Sequence, residues 1–159
     1  SDVYKRQAFH VPGVLPTARG LSHWGEHALG WMGSAAVGAG IDKRRREGWI
    51  RVGAAAFLAH AASVVLKRIV RRKRPDYPYV RVGVKTPSKL SFPSSHATST
   101  TAFLVAVSRL TGRKAPLLGV PVMMASRMVL GVHYPTDTAV GAAIGAATAE
   151  VVMKGMKHE

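Results

Sequence analysis

Three short segments carry side chains whose types and spacing could hold an anion and move a phosphoryl group. In the first, Lys67 and Arg74 stand seven positions apart and Pro75 follows. Seven residues make almost two helical turns, so both cations would point the same way if a helix persisted that far. Pro75 disfavours helical geometry at Arg74 and marks the exit. Two cations at one helix end could grip phosphate oxygens, the guanidinium through its bidentate fork. The plain alternative is a basic stop beside a membrane, and Arg68, Arg71, Arg72 and Lys73 are read that way.

The second segment, Ser91-Phe92-Pro93-Ser94-Ser95-His96, opens a helix. Free N–H groups at a helix start bind anions, and the hydroxyls of Ser94 and Ser95 add donors. His96, in the first turn, could protonate a leaving oxygen. Taken alone, an N-cap serine and an interface histidine explain this segment better. The third segment holds Ser126-Arg127 and then His133-Tyr134-Pro135-Thr136-Asp137. Pro135 suits the first helical position, leaving His133 just ahead of it and Asp137 in the first turn. A carboxylate there can fix the imidazole tautomer and turn the other ring nitrogen outward, the logic of an activated nucleophile with histidine as attacker. A capping aspartate beside a structural histidine would look the same.

Helices must position these groups. Residues 1–7 begin without Met and read as a cloning remnant or fragment end, and no signal peptide is visible. Residues 8–20, with Pro12, Gly13, Pro16 and Gly20, complete an irregular lead-in over 1–20. The periodicity then predicts helices over about 22–41, 47–73, 94–110, 115–130 and 135–154 within one domain, 21–159. Antiparallel succession would bring the end of the second, the start of the third, the end of the fourth and the start of the fifth to one face. Lys67, Arg74, Ser94, Ser95, His96, Arg127, His133 and Asp137 would then meet. Gly141 and Gly145 in the last helix have the spacing that lets helices approach closely in lipid.

The composition narrows the surroundings. Of 159 residues, 47% are hydrophobic, yet 23 Lys and Arg face only 8 Asp and Glu, a formal charge of +15. Disorder is excluded by the apolar fraction, and cysteine chemistry by the absence of cysteine. The charge implies an anionic partner: nucleic acid, an anionic membrane or a phosphorylated substrate. Five cations fall between Lys43 and Arg51 and nine between Lys67 and Lys89, with nearly uncharged Ala-, Gly- and Val-rich runs between. Basic borders around apolar runs are the pattern of a multi-pass membrane protein. At 7% aromatic there is little to stack bases on, which argues against nucleic acid. No run reaches the ~20 continuous apolar residues that identify a span alone, so a soluble Ala-rich bundle stays open on hydropathy.

Together, Lys67-x6-Arg74-Pro75, Pro93-Ser94-Ser95-His96 and Ser126-Arg127-x5-His133-x3-Asp137 resemble the three-part signature of the type 2 phosphatidic acid phosphatase family. One departure is that Ser95 stands where the family usually has glycine. Further stretches, Leu21-Ser22-His23-Trp24-Gly25-Glu26-His27, Thr86 through Thr100 and Leu130 through Asp137, are similar to the actinobacterial decaprenylphosphoryl-5-phosphoribose phosphatases. The resemblance implies an all-α, polytopic membrane bundle with its active site at one helix-end face. It implies a lipid-phosphate phosphatase working through a phosphohistidine on His133, with Asp137 as orienter and His96 as acid and base. Lys67, Arg74, Ser94, Ser95 and Arg127 would hold the phosphate, with no metal or cofactor. Phosphatidic-acid, phosphatidylglycerol-phosphate and polyprenyl-pyrophosphate phosphatases are the alternatives within the class, and a vanadium haloperoxidase is a remoter one. A non-enzymatic basic protein binding anionic lipid is the alternative outside it.

His23-x-x-Glu26-His27 matches the spacing of an inverted zinc-peptidase motif, but no third ligand in a convincing context follows. Substrate or interhelical contacts are the expected role of His23, Glu26 and His27, and an interhelical hydrogen bond that of His60. The loops opposite the expected active face carry Lys43, Arg44, Arg45, Arg46, Arg51, Arg109, Arg113 and Lys114. The positive-inside bias therefore favours a cell-membrane protein with an extracytoplasmic active site.

Overall fold

Small residues occupy the inward faces of the helices, and this sets how the bundle packs. The structure, a computed structural model, describes residues 11–76, 82, 84–86 and 88–154; the first half of the expected lead-in and Pro87 lie outside the described residues. Among them are six α-helices: α1 Val14–Trp24, α2 Leu29–Ile41, α3 Arg46–Val70, α4 Ser95–Thr111, α5 Gly119–Val129 and α6 Pro135–Met153. Short 3-10 turns at Glu26–Ala28, Lys43–Arg45 and Ala115–Leu118 join them.

The long helix α3 buries Gly48, Val52, Ala55, Ala56, Ala59, Ser63 and Lys67, whose spacing keeps them on one face. Its other face exposes Ile50, Phe57, Leu58, Val65 and Ile69. A helix in water would bury its large apolar side chains. Small residues inside and large apolar ones outside is the arrangement of a helix surrounded by lipid. Lys43–Val70, 28 residues of which an 18-residue window has a mean hydropathy of 1.6, is the one stretch among the described residues long and apolar enough to cross a membrane by itself. Helices α4 and α6, of 17 and 19 residues, carry Ser, Thr and Gly on their inner faces. Those residues lower hydropathy while permitting close packing. A Cβ on Gly145 would overlap the Thr98 carbonyl oxygen of α4, and one on Gly141 would stand 2.8 Å from that of Ser94. The Gly141–Gly145 spacing is therefore the α4–α6 contact. Further from the site, Ala35, Val52, Ala55, Ala56, Phe103, Ala106, Leu110, Ala149 and Met153 form the main apolar core.

Two expectations about the helices change. The helix expected over 22–41 is two helices, and the first begins inside the expected lead-in. Gly13 takes a left-handed φ of 85° at the N-cap of α1, and Pro16 falls in the first turn, where its missing N–H is no loss. The chain then breaks after Trp24: His27 (φ 50°) and Ala28 (φ 59°) are both left-handed before α2 starts. The helix expected to reach Lys73 stops at Val70, with Arg71 left-handed and its N–H bonded to Lys67 O at 3.0 Å. Lys67 and Arg74 therefore do not share a helix. Beyond Arg71 the chain is extended: Lys73 bridges Leu90, Ser91 N–H donates to Arg72 O at 2.7 Å, and Arg74 N–H donates to Lys89 O at 3.2 Å. Extended geometry at Arg74 is what the following proline favours.

Candidate active site

A chamber of about 310 Å³ opens at the face where α3 and α5 end and α4 and α6 begin. Local chain chemistry delivers each side chain to it. Lys67 lies in the last turn of α3 and is buried, its Nζ donating to Leu90 O at 3.3 Å. Arg74 reaches the same place from the extended segment. Its Nε donates to Ser88 O at 2.8 Å, and its Nη1 donates to Val132 O at 2.7 Å and to His133 Nε2 at 3.2 Å. Burial lowers the Arg74 guanidinium to about 10, with the Asp137 carboxylate opposing. It stays charged at neutral pH.

Arg127, in the last turn of α5, is 1% exposed. Its Nε and Nη1 have no hydrogen-bond partner, and it lines the chamber. Among the described residues no carboxylate forms an ion pair with Lys67, Arg74 or Arg127. Burying an unpaired charge is costly, so these cations form a socket complementary to an anion.

His133 is 2% exposed, in the turn that Gly131 (φ 70°) allows between α5 and α6. Its Nε2 accepts from Arg74, which places the proton on Nδ1, 3.7 Å from Asp137 Oδ2. At that distance the carboxylate acts on the ring as a nearby charge rather than by a hydrogen bond. Burial lowers His133 to about 4; the Asp137 carboxylate opposes this, and Arg74, Arg127 and Lys67 reinforce it. The imidazole is neutral at pH 7, and its one lone pair, on Nε2, is held by the Arg74 guanidinium at the chamber. Asp137 Oδ2 also accepts from Tyr134 N–H at 2.8 Å and caps α6, the capping role that the sequence offered as an alternative.

Ser95 and His96 open α4. Ser95 Oγ accepts from Ser63 Oγ at 2.9 Å, and both Ser95 and His96 line the chamber. Ser95 sits in the helix without a left-handed φ, so it needs none of glycine's freedom. Ser94 differs from the expectation of a phosphate ligand: it is fully buried, its Oγ accepts from Ala97 N–H at 3.3 Å as the N-cap, and it is not among the chamber-lining residues. His96 Nε2–H donates to the Ser22 carbonyl at 2.8 Å. A Cβ on Gly25 would come within 2.9 Å of His96 Cδ2, so the chain break after α1 packs directly on this ring.

Several contributors carried no sequence signal. Arg72, read as a basic stop, bonds Asp137 Oδ1 and Thr136 Oγ1, each at 3.0 Å, and lies 4.7 Å over the Tyr134 ring. It pairs with Asp137, which makes no ion pair with Lys67, Arg74 or Arg127; Arg68, also read as a basic stop, lines the chamber, as does Lys85. Nothing in the run Arg71-Arg72-Lys73 distinguished Arg72. Ser63 and the Ser22 carbonyl likewise act only through tertiary contacts. His23, Glu26 and His27 do line the chamber. The helix break separates His23 from His27, and among the described residues no group of three His, Asp or Glu could hold a metal. His60 also lines the chamber, its ring 5.9 Å from that of His27 and its Nδ1 without a partner, so the expected interhelical hydrogen bond is absent.

Known proteins share this frame. A decaprenylphosphoryl-5-phosphoribose phosphatase of Mycobacterium tuberculosis (strain H37Rv) is 56% identical over 141 residues, 89% of this chain and 80% of the relative. The protein of the same description from Mycolicibacterium smegmatis is 60% identical over 130 residues, 82% of this chain and 72% of the relative. The crystal structure of a transmembrane PAP2-type phosphatidylglycerolphosphate phosphatase from Bacillus subtilis superimposes with a TM-score of 0.71 at 21% identity, covering 95% of this chain and 81% of that one, a likeness of fold. The motifs, the helix-end chamber and a match to the PAP2 superfamily over residues 48–159 agree, and the chain belongs to that superfamily.

Proposed function

We propose that this chain is a multi-pass membrane phosphatase that removes the 5-phosphate from decaprenylphosphoryl-5-phosphoribose through a phosphohistidine on His133. The observation that carries the chemistry is the buried, unpartnered Arg127 guanidinium in the same chamber as the neutral His133 ring. The substrate class rests on the 56% and 60% identical relatives that bear that description.

His133 Nε2 attacks phosphorus in line, forming a P–N bond as the P–O ester bond breaks. His96 gives a proton to the departing alkoxide. It then takes one from water, whose oxygen attacks phosphorus, breaks the P–N bond and releases inorganic phosphate. Lys67, Arg74 and Arg127, with Ser95 and the first N–H groups of α4, neutralise the equatorial oxygens, and such fixed charges supply most of the catalysis in phosphoryl transfer. Asp137 fixes the His133 tautomer while Arg72 and the Tyr134 N–H fix Asp137. The loops at the far end of the bundle carry Lys43 to Arg46, Arg51, Arg109, Arg113 and Lys114, which supports an extracytoplasmic chamber.

The test is to trap the intermediate. Wild type quenched with alkaline denaturant during turnover of substrate labelled in the 5-phosphate is expected to carry an acid-labile, alkali-stable phosphoryl group, and a His133→Ala variant none. Label retained by His133→Ala, or phosphate release at a near-normal rate from it, refutes the assignment.

A further inference from the structure

The chamber has two chemically distinct ends, and the phosphate mechanism uses only one. On α3 the lining residues His60, Val64 and Lys67 follow one face, and seven residues of helix put His60 about 10 Å deeper in the bundle than Lys67. Around Lys67 the walls are cationic. Beside His60 is the imidazole of His27, and the exposed side chains of His23 and Glu26, from the same segment as His27, also line the chamber. These are donors and acceptors that pair with hydroxyl groups rather than with a second phosphate. His60 Nδ1 is buried without a partner, 5.9 Å separates its ring from that of His27, and Glu26 keeps 45% of its side chain exposed.

The backbone holds this end in place at a cost. His27 and Ala28 both stand in the left-handed region, at φ 50° and 59°, which non-glycine residues rarely adopt and which gathers at functional sites. All of His23, Glu26 and His27 precede residue 48, where the match to the superfamily begins. An alignment covering 89% of this chain with the phosphoribose phosphatase relative necessarily extends ahead of that residue. The elements shared with the whole superfamily thus build the phosphate end and supply His60, and the segment ahead of that match supplies His23, Glu26 and His27.

We propose that Glu26, His27 and His60 form a hydroxyl-reading subsite that selects a sugar carried between the scissile phosphate and the lipid. This deepens the proposed function and rests on it. The Glu26 carboxylate accepts from ring hydroxyls, and the His27 and His60 imidazoles donate to or accept from them. A diacylglycerol phosphate offers no such hydroxyls, so these contacts stay unmade and its binding is weaker.

The experiment crosses enzyme variants with substrate variants in detergent micelles, following phosphate release. Wild type, Glu26→Gln and His27→Asn (asparagine tolerates the left-handed backbone) are each assayed on decaprenylphosphoryl-5-phosphoribose and on its 2,3-dideoxy analogue. Wild type is expected to lose about 10- to 100-fold in kcat/KM on the analogue, mostly through KM, the scale of unpaired polar groups. Each variant should lose a comparable factor on the parent substrate and little more on the analogue. Equal losses on both substrates mean a structural role, and undiminished activity means no contact; either overturns the subsite. Wild type that releases phosphate from phosphatidic acid but none from the phosphoribose lipid refutes the proposed function, and the subsite with it.

Discussion

Replacing Arg127 by methionine should make the resting protein more stable and nearly inactive, an opposition that few active-site changes produce. The side chain is 1% exposed, and neither Nε nor Nη1 has a partner. An unsatisfied buried polar group costs about 1–3 kcal/mol, and a charged one more. Methionine fills similar length with no charge and adapts to irregular space. For a chain of this size a gain on that scale raises Tm by about 2–4 °C per kcal/mol. Catalysis moves the other way. Removing one oxyanion donor costs about 10²–10³ in kcat, and this change removes a charged group with two such donors, so kcat should fall by about 10³ or more. Thermal unfolding in detergent, with and without inorganic phosphate, separates the two effects. Phosphate at a hundred times its Kd for wild type should stabilise wild type by about 2.7 kcal/mol and the variant, with Lys67 and Arg74 alone as cations of the clamp, by clearly less. A variant that melts below wild type, or turns over within tenfold of it, refutes the picture of an anion socket left uncompensated when empty.

Three further outcomes follow from the geometry. In histidine-labelled free protein, the ¹⁵N shifts of His133 should report the Nδ1–H tautomer and titrate near 4. Because the lowered value favours the neutral ring, the nucleophile keeps its lone pair as pH falls from 7 to 5 and loses it only through about 4; titration near 6.5 contradicts the burial argument. Gly25→Ala should push on His96, since the new Cβ would stand 2.9 Å from Cδ2, lowering kcat about 10- to 100-fold with little change in Tm; an unchanged kcat would show that this contact is not what places the ring. Gly145→Ala should destabilise the bundle by at least the ~1–3 kcal/mol typical of overpacking, because its Cβ would overlap the Thr98 carbonyl, read as a lower melting temperature in detergent.

The sequence by itself determined the all-α frame, the set of helix ends that meet and the chamber's Lys67, Arg74, Arg127 and Glu26, though not Arg68 or Lys85. Those features are local: apolar periodicity, Pro75 and Pro135 at helix boundaries, and spacings such as His133 to Asp137 that a single helix start enforces. Only the tertiary structure decided which of two local meanings each residue takes. Ser94 became a cap and Ser95 a chamber residue because the first N–H groups of α4 need an acceptor that only the preceding residue can supply. Arg72, one cation in a basic run, became the partner of Asp137 because the chain leaves α3 through a left-handed Arg71 and pairs with residues 89–91. Arg74 reached His133 by that same extended segment rather than along a helix face. The membrane setting, too, was ambiguous in hydropathy and became legible in three dimensions. Hydropathy averages over a helix, whereas burial separates the Ala-lined inner face of α3 from the Ile, Phe and Val of its outer one.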